Sequence, residues 1–143
     1  AGRPRLEAEL QRRGIAENFR LPGFIPDVEN AMDAFDIGVS TALWEGLPQS
    51  LVQLRLKKKA IVASDIPGNR EVVRHGENGF LVSWDDAEGL AAAILALAGD
   101  AQLRRRLERF SGEDFSPWSA AALVAGQEEL YQRLLVGSWT RER

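Results

Sequence analysis

The 143-residue sequence contains no cysteine, a single histidine and a single methionine. Without thiols the fold uses neither disulfides nor thiolate metal sites, and one histidine puts the usual zinc ligand sets out of reach, so no metal is expected. No apolar run approaches the roughly 20 residues that a membrane helix needs; the stretch Leu90 to Ala98 is too short. Nothing at the start pairs a basic region with an apolar one, so a cytoplasmic setting is the expectation. The net charge of −3 argues weakly against a nucleic-acid or anionic-membrane footprint and leaves room for local patches. What the chain does have is 45% hydrophobic residues, enough for one domain with a real core.

Apolar runs of strand length alternate with helical patterns along the chain. Arg5 to Arg13 reads as a charged helix, Phe19 to Phe24 as a strand, and Asp27 to Ala34 as a helix with an acid at its start. Phe35 to Ser40, Ala60 to Ser64 and Gly79 to Val82 then read as strands, separated by helices at Gln49 to Lys57 and Pro67 to Arg74 and followed by one at Ala87 to Leu97. Ile61-Val62-Ala63 is continuously apolar, as expected where helices cover both faces of a parallel sheet. The class is α/β: a doubly wound, Rossmann-like parallel sheet closed by helices at Ala101 to Phe110 and Pro117 to Leu135. One domain over residues 1–136 and a charged, disordered tail over 137–143 are expected. Such a domain normally opens on a strand, yet Ala1-Gly2-Arg3-Pro4 leads into a helix. The expectation is an N-terminally truncated domain of a larger protein.

The chemistry concentrates in Trp44-Glu45-Gly46-Leu47-Pro48-Gln49-Ser50-Leu51-Val52-Gln53. Glu45 should lie beyond a strand's carboxyl end, where open α/β sheets bind ligands. A helix beginning at Pro48 would aim its free amides and positive dipole end at that loop, where a phosphate could sit. Glu45 could accept hydrogen bonds from ligand hydroxyls, and Gln53 could reach another polar group. An ordinary strand-to-helix turn with a solvated acid fits the same residues. A second constellation, Ser64-Asp65-Ile66-Pro67-Gly68-Asn69-Arg70-Glu71, emerges from the same sheet edge one strand along. It could line the same crevice, or Asp65 could simply cap the next helix, with Pro67 in its first turn.

These segments carry a resemblance. Leu21-Pro22-Gly23-Phe24-Ile25, Asp36-Ile37-Gly38-Val39-Ser40, the Glu45 segment, Ala60 to Val73, and Arg74-His75-Gly76-Glu77-Asn78-Gly79-Phe80-Leu81-Val82 stand in the order and spacing seen in retaining GT-B glycosyltransferases of family 4, also called group 1. The chain resembles the C-terminal, donor-binding half of such enzymes. The resemblance implies transfer of a sugar from a nucleotide-diphosphate sugar, without a metal cofactor, to an acceptor such as a glycan or lipid-linked glycan. It implies that Glu45 is the catalytic position and holds donor-sugar hydroxyls. Gly46, Leu47 and Pro48 would face the sugar and diphosphate, the helix start Pro48, Gln49 and Ser50 would stabilise phosphate charge, and Phe24 and Ile25 would lie against the base. It implies a separate N-terminal acceptor domain and leaves open peripheral membrane contact of the full enzyme. Phe115-Ser116-Pro117-Trp118 resembles the start of the family's last helix.

Two departures stand out. Gln53 occupies the position of the family's second acid, which usually holds the ribose; Gln can bond a hydroxyl but lacks the charge. Lys58, in Lys57-Lys58-Lys59, stands where glycine usually ends the helix in the left-handed region, at a cost of roughly 1 kcal/mol. The lysines read as a solvated helix end or as a surface or phosphate patch, and Arg104 to Arg106 read likewise. His75 fits a cation at a helix end, and Asp85-Asp86 fits capping. A non-catalytic α/β interaction module, or an assembly unit pairing through an exposed sheet edge, is the competing reading.

Overall fold

A computed structural model describes residues 2–111 and 115–135, so the expected tail over 137–143 lies outside the described residues. By internal contacts the chain forms two compact units, Ala1–Ala31 and Met32–Arg143.

The first unit opens with α1 (Arg3–Arg12), which has Pro4 in its first turn and a buried Leu10. Ion pairs run along its surface: Arg3 to Glu7 at 2.8 Å, and Glu9 to both Arg12 and Arg13 at 2.6 and 2.5 Å. Hydrogen bonds from Arg12 and then Arg13 hold the Glu9 carboxyl at about 2. Phe19 to Phe24, expected as a strand, is irregular. Pro22 has no N–H to donate and Gly23 sits at φ +78°, so neither suits a ladder. Helix α2 (Val28–Asp33) follows, shorter than expected, with its start held by Asp27 Oδ1, which accepts from the Asn30 N–H at 3.2 Å.

The second unit carries the sheet: β1 (Ile37–Ser40), β2 (Ala60–Ser64) and β3 (Gly79–Val82), parallel and in the order β1-β2-β3. Val39 stands beside Val62 and Ser40 beside Ala63, while Ser64 pairs with Val82. Parallel pairing requires a crossover between strands, supplied by α3 (Gln49–Leu56) and α4 (Pro67–Arg70). Helices α5 (Ala87–Gly99), α6 (Ala101–Ser111) and α7 (Ala120–Leu135) follow. Every residue of β2 is buried. Its alternating side chains feed two cores: Ile61 and Ala63 pack with Met32, Leu51, Val52, Leu54, Val72 and Val73, whereas Ala60 and Val62 pack with Leu97 and Leu107. Helices therefore cover both faces, and the central strand reads as unbroken apolar sequence for that reason. Arg55 is buried in α3, where its guanidinium donates to the Val72 carbonyl at 3.2 Å and lies 5.0 Å from the Phe115 ring centroid.

Helix α4 stops four residues before the expected Arg74. The cause is a competing acceptor: Asn78 Oδ1 takes the Arg74 N–H at 2.8 Å, and the Asn78 side chain is buried. His75 consequently does not stand at a helix end. Its Nδ1 stands 3.1 Å from both the N–H and the carbonyl oxygen of Leu81, covering backbone groups on the outer strand β3, and its ring lies 5.6 Å from Phe80. Asp86 caps α5 as expected, accepting from Gly89 N–H at 2.7 Å. The 3₁₀ turn Ser116–Trp118 precedes α7, and Ser119 Oγ accepts from the Ala122 N–H at 3.1 Å.

Helix α3 ends on a left-handed residue despite the missing glycine. Lys58 has φ +54°, its N–H donates to the Arg55 carbonyl at 2.8 Å, and the Lys59 N–H reaches the Leu54 carbonyl at 2.9 Å. That pair of bonds is a Schellman closure, built here at a non-glycine position. Lys57 and Lys59 are both anchored, to the Asp33 carboxylate at 2.9 Å and the Asp33 carbonyl at 2.8 Å. Replacing Lys58→Gly is expected to raise stability by about 1 kcal/mol, roughly 3 °C in Tm, because glycine adopts φ > 0 without a Cβ clash. A fall in the midpoint on thermal or chemical denaturation would show that Lys58 contributes more than its backbone strain removes.

Candidate functional site

The carboxyl ends of β1 and β2 lie side by side, joined by Ser64 Oγ, which donates to the Ser40 carbonyl at 3.4 Å. Beyond β1 the chain runs through Trp44 and Glu45 to Pro48, the residue flanking α3. Pro48 is buried with extended backbone (φ −74°, ψ 99°), and its carbonyl accepts from the N–H groups of Leu51 and Val52 at 3.0 and 3.1 Å. No side chain caps this helix start. Leu51 and Val52 bury inward while Gln49 and Ser50 stay exposed. Glu45 and Gly46 are exposed, Leu47 is 39% exposed, and Gln53 is half-buried one turn into α3.

The second constellation does meet the first. A Cβ on Gly68 would lie 2.5 Å from the Gly46 carbonyl oxygen and 2.7 Å from the Glu45 carbonyl carbon, with the Glu45 oxygen closer still. Only glycine lets the two backbones approach so far. Gly68 is buried in α4, whose first turn contains Pro67 as expected. The contact makes the Glu45 loop and the α4 turn one surface. Sequence reasoning placed both loops on one edge but missed this backbone contact; its signal was the glycine directly after Pro67.

Asn69, next to Gly68, is fully buried, and its Nδ2 donates to the Ser64 carbonyl at 2.8 Å. Its Oδ1 is buried with no hydrogen-bond partner among the described residues, an arrangement that typically costs 1–3 kcal/mol. Asp65 does not cap α4. It receives two hydrogen bonds from Arg70, at 2.6 and 3.0 Å, while Ile66 takes the flanking position of the helix. Hydrogen bonds from the Arg70 guanidinium hold the Asp65 carboxyl below its ordinary range. Trp44, 84% exposed beside Glu45, and Leu43, 65% exposed, form an apolar flank that the motif reading did not single out.

Phe24 and Ile25 belong to the first unit, in the irregular segment after Gly23; Phe24 is 89% exposed and Ile25 half-buried. Among the described residues no three His, Cys, Asp or Glu side chains gather as a metal site. No helix among the described residues is long and apolar enough to cross a membrane.

The chain is similar to known proteins in sequence and in fold. Residues 1–100 match the family model described as glycosyl transferases group 1. The chain is 34% identical over 122 residues to the phosphatidyl-myo-inositol mannosyltransferase of Mycolicibacterium smegmatis, an alignment covering 80% of this chain and 32% of that protein. Its structure is similar to Anabaena HepE crystallised with UDP-glucose, with a TM-score of 0.71 and 29% identity over 76% of this chain and 30% of that one. It is also similar to sucrose-phosphate synthase from Thermosynechococcus elongatus, with a TM-score of 0.80 and 27% identity over 94% of this chain and 34% of that one. The chain spans between 10% and 32% of the length of three curated relatives.

Two outcomes test the geometry. Gly68→Ala forces a methyl group against backbone carbonyls that cannot swing aside, so we expect a loss of about 1–3 kcal/mol on denaturation and shifted amide resonances at Glu45 and Gly46. Unchanged stability with unchanged resonances would refute the contact. For Asp65, the lowered pKa means that its contribution is present above the ordinary carboxylate range and lost as pH falls through the lowered value. Arg70→Ala should move the Asp65 titration upward, read by carboxyl NMR, and the stability difference between variant and parent should vanish at low pH.

Proposed function

The chain belongs to the glycosyl transferases group 1 family, and from that premise we propose that it is the donor-binding half of a retaining, GT-B glycosyltransferase. In this reading it holds a nucleotide-diphosphate sugar at the carboxyl edge of the sheet while a separate domain presents the acceptor, a glycan or lipid-linked glycan. The observation that carries the proposal is the uncapped start of α3 beside an acid-bearing loop that is fixed on Gly68. The crystallisation of the similar HepE with UDP-glucose supports a nucleotide sugar as the ligand class. Family membership weighs against the reading as a non-catalytic module.

The roles in this reading are as follows. The diphosphate lies at the amides of Gln49 and Ser50, where oriented N–H groups and the helix dipole favour anions. Glu45 accepts hydrogen bonds from the donor sugar's hydroxyls, with Gly46, Leu47 and Pro48 shaping the floor beside it. Gln53 bonds a ribose hydroxyl. Charge developing on the leaving diphosphate is stabilised by the helix start, an electrostatic contribution already in place before reaction. The departing diphosphate accepts the acceptor's proton on the same face of the sugar, so no protein nucleophile or metal is required. The working location is the cytoplasm.

The test is calorimetric titration with UDP, UDP-glucose and other nucleotide sugars. Glu45→Ala should abolish the affinity that the sugar adds to the nucleotide and leave nucleotide binding in place. Gln53→Glu should tighten nucleotide binding by roughly tenfold, through a charge-assisted hydrogen bond. Chelator should change neither value. Absence of any nucleotide effect on the protein would sink the proposal.

A further inference from the structure

Lys58 precedes the first residue of β2, so it lies at the end of the sheet opposite the Glu45 loop. There an open groove of about 640 Å³ is lined by Lys58, Gln102, Arg105, Glu108 and Arg109. Arg105 and Arg109 are four residues apart on α6 and so share one face of that helix. The neighbouring cations are committed to the fold. Lys57 and Lys59 bind Asp33, and the Arg104 guanidinium donates to the carbonyls of Leu97 and Ala98 at the end of α5. The side chains of Lys58, Arg105 and Arg109 have no ion-pair or hydrogen-bond partner among the described residues, and among those residues Glu108 is the one carboxylate that lines the groove with them. The chain, net negative overall, thus keeps three uncommitted cations in one concavity.

The backbone adds an independent observation. Lys58 holds its left-handed conformation at a position where glycine is favoured. Strain retained at a lining residue points to use of its side chain. We propose that this groove binds a phosphate-bearing ligand through Lys58, Arg105 and Arg109, separately from the donor edge. Two guanidinium forks and a mobile ammonium match a multi-oxygen dianion, whereas a carboxylate would occupy only one fork. The groove is larger than a single phosphate and accommodates the group that carries it. That group is either a soluble phosphate compound or the headgroup of an anionic lipid.

Titration of the isotope-labelled protein with inorganic pyrophosphate, followed by amide NMR shifts, tests the assignment. We expect saturable shifts at Lys58, Arg105 and Arg109 that weaken as salt is raised. Lys58→Gly should weaken this binding by about fivefold, the size of one exposed charge contact. Because that variant relieves strain, its loss of binding cannot be assigned to unfolding. The Arg105→Ala/Arg109→Ala double variant should remove saturation. Shifts at Gln49 and Ser50 report the donor edge independently, so a failure there counts against the donor reading alone. Absence of shifts at the groove residues, or unaltered affinity in Lys58→Gly, overturns the inference. Sedimentation with phosphatidylglycerol but not phosphatidylcholine vesicles, lost in the double variant, identifies a lipid headgroup. Pyrophosphate binding without vesicle binding identifies a soluble ligand, and vesicle binding unaffected by the double variant counts against the groove.

Discussion

With no side chain at position 68, the α4 turn comes to rest on the carbonyls of Glu45 and Gly46, and the organisation of the sheet's carboxyl edge depends on that contact. A loop between β1 and α3 would otherwise be free to vary, as exposed connections usually are. Here its backbone is pinned by a turn that is itself tied to β2 through Asn69 and to Arg70 through Asp65. The acid of the first loop inherits its position from the second. Pre-positioning of this kind lowers the ordering cost that a ligand must otherwise meet on binding.

Much of this was legible in the sequence, and the reasons are local. The bounds of β2 followed from an apolar run buried on both faces, and those of β3 from a short apolar run that is half-buried. The start of α3 followed from Pro48, whose missing N–H and fixed φ suit a helix entry. What escaped was decided by partners far along the chain. Asn78 ends α4 by taking an amide that helical periodicity had assigned to the helix, and the backbone of Leu81 holds His75 at a strand edge instead of a helix end. Gly23 shows the opposite fault, since an apolar flank suggested a strand that its positive φ interrupts.

The basic runs illustrate how composition misleads when taken as a block. Lys57, Lys58 and Lys59 look equivalent in sequence, yet two of them serve Asp33 and the third lies in a groove with α6. Likewise Arg104 closes the end of α5, whereas Arg105 lines the groove. Helical geometry sends adjacent residues in directions about 100° apart, so neighbours in a charged run meet different surroundings.

Strand β2 is five residues long and buried throughout, which sets its two ends roughly 15 Å apart at the usual rise per residue. The Glu45 loop stands at one end and the turn at Lys58 at the other. That separation exceeds the screening length of roughly 8 Å at physiological salt, so charges exposed to solvent at the two ends act on each other only weakly. Substitutions can accumulate around α6 without disturbing the edge where Glu45 stands, so the two surfaces of this chain are free to diversify at separate rates.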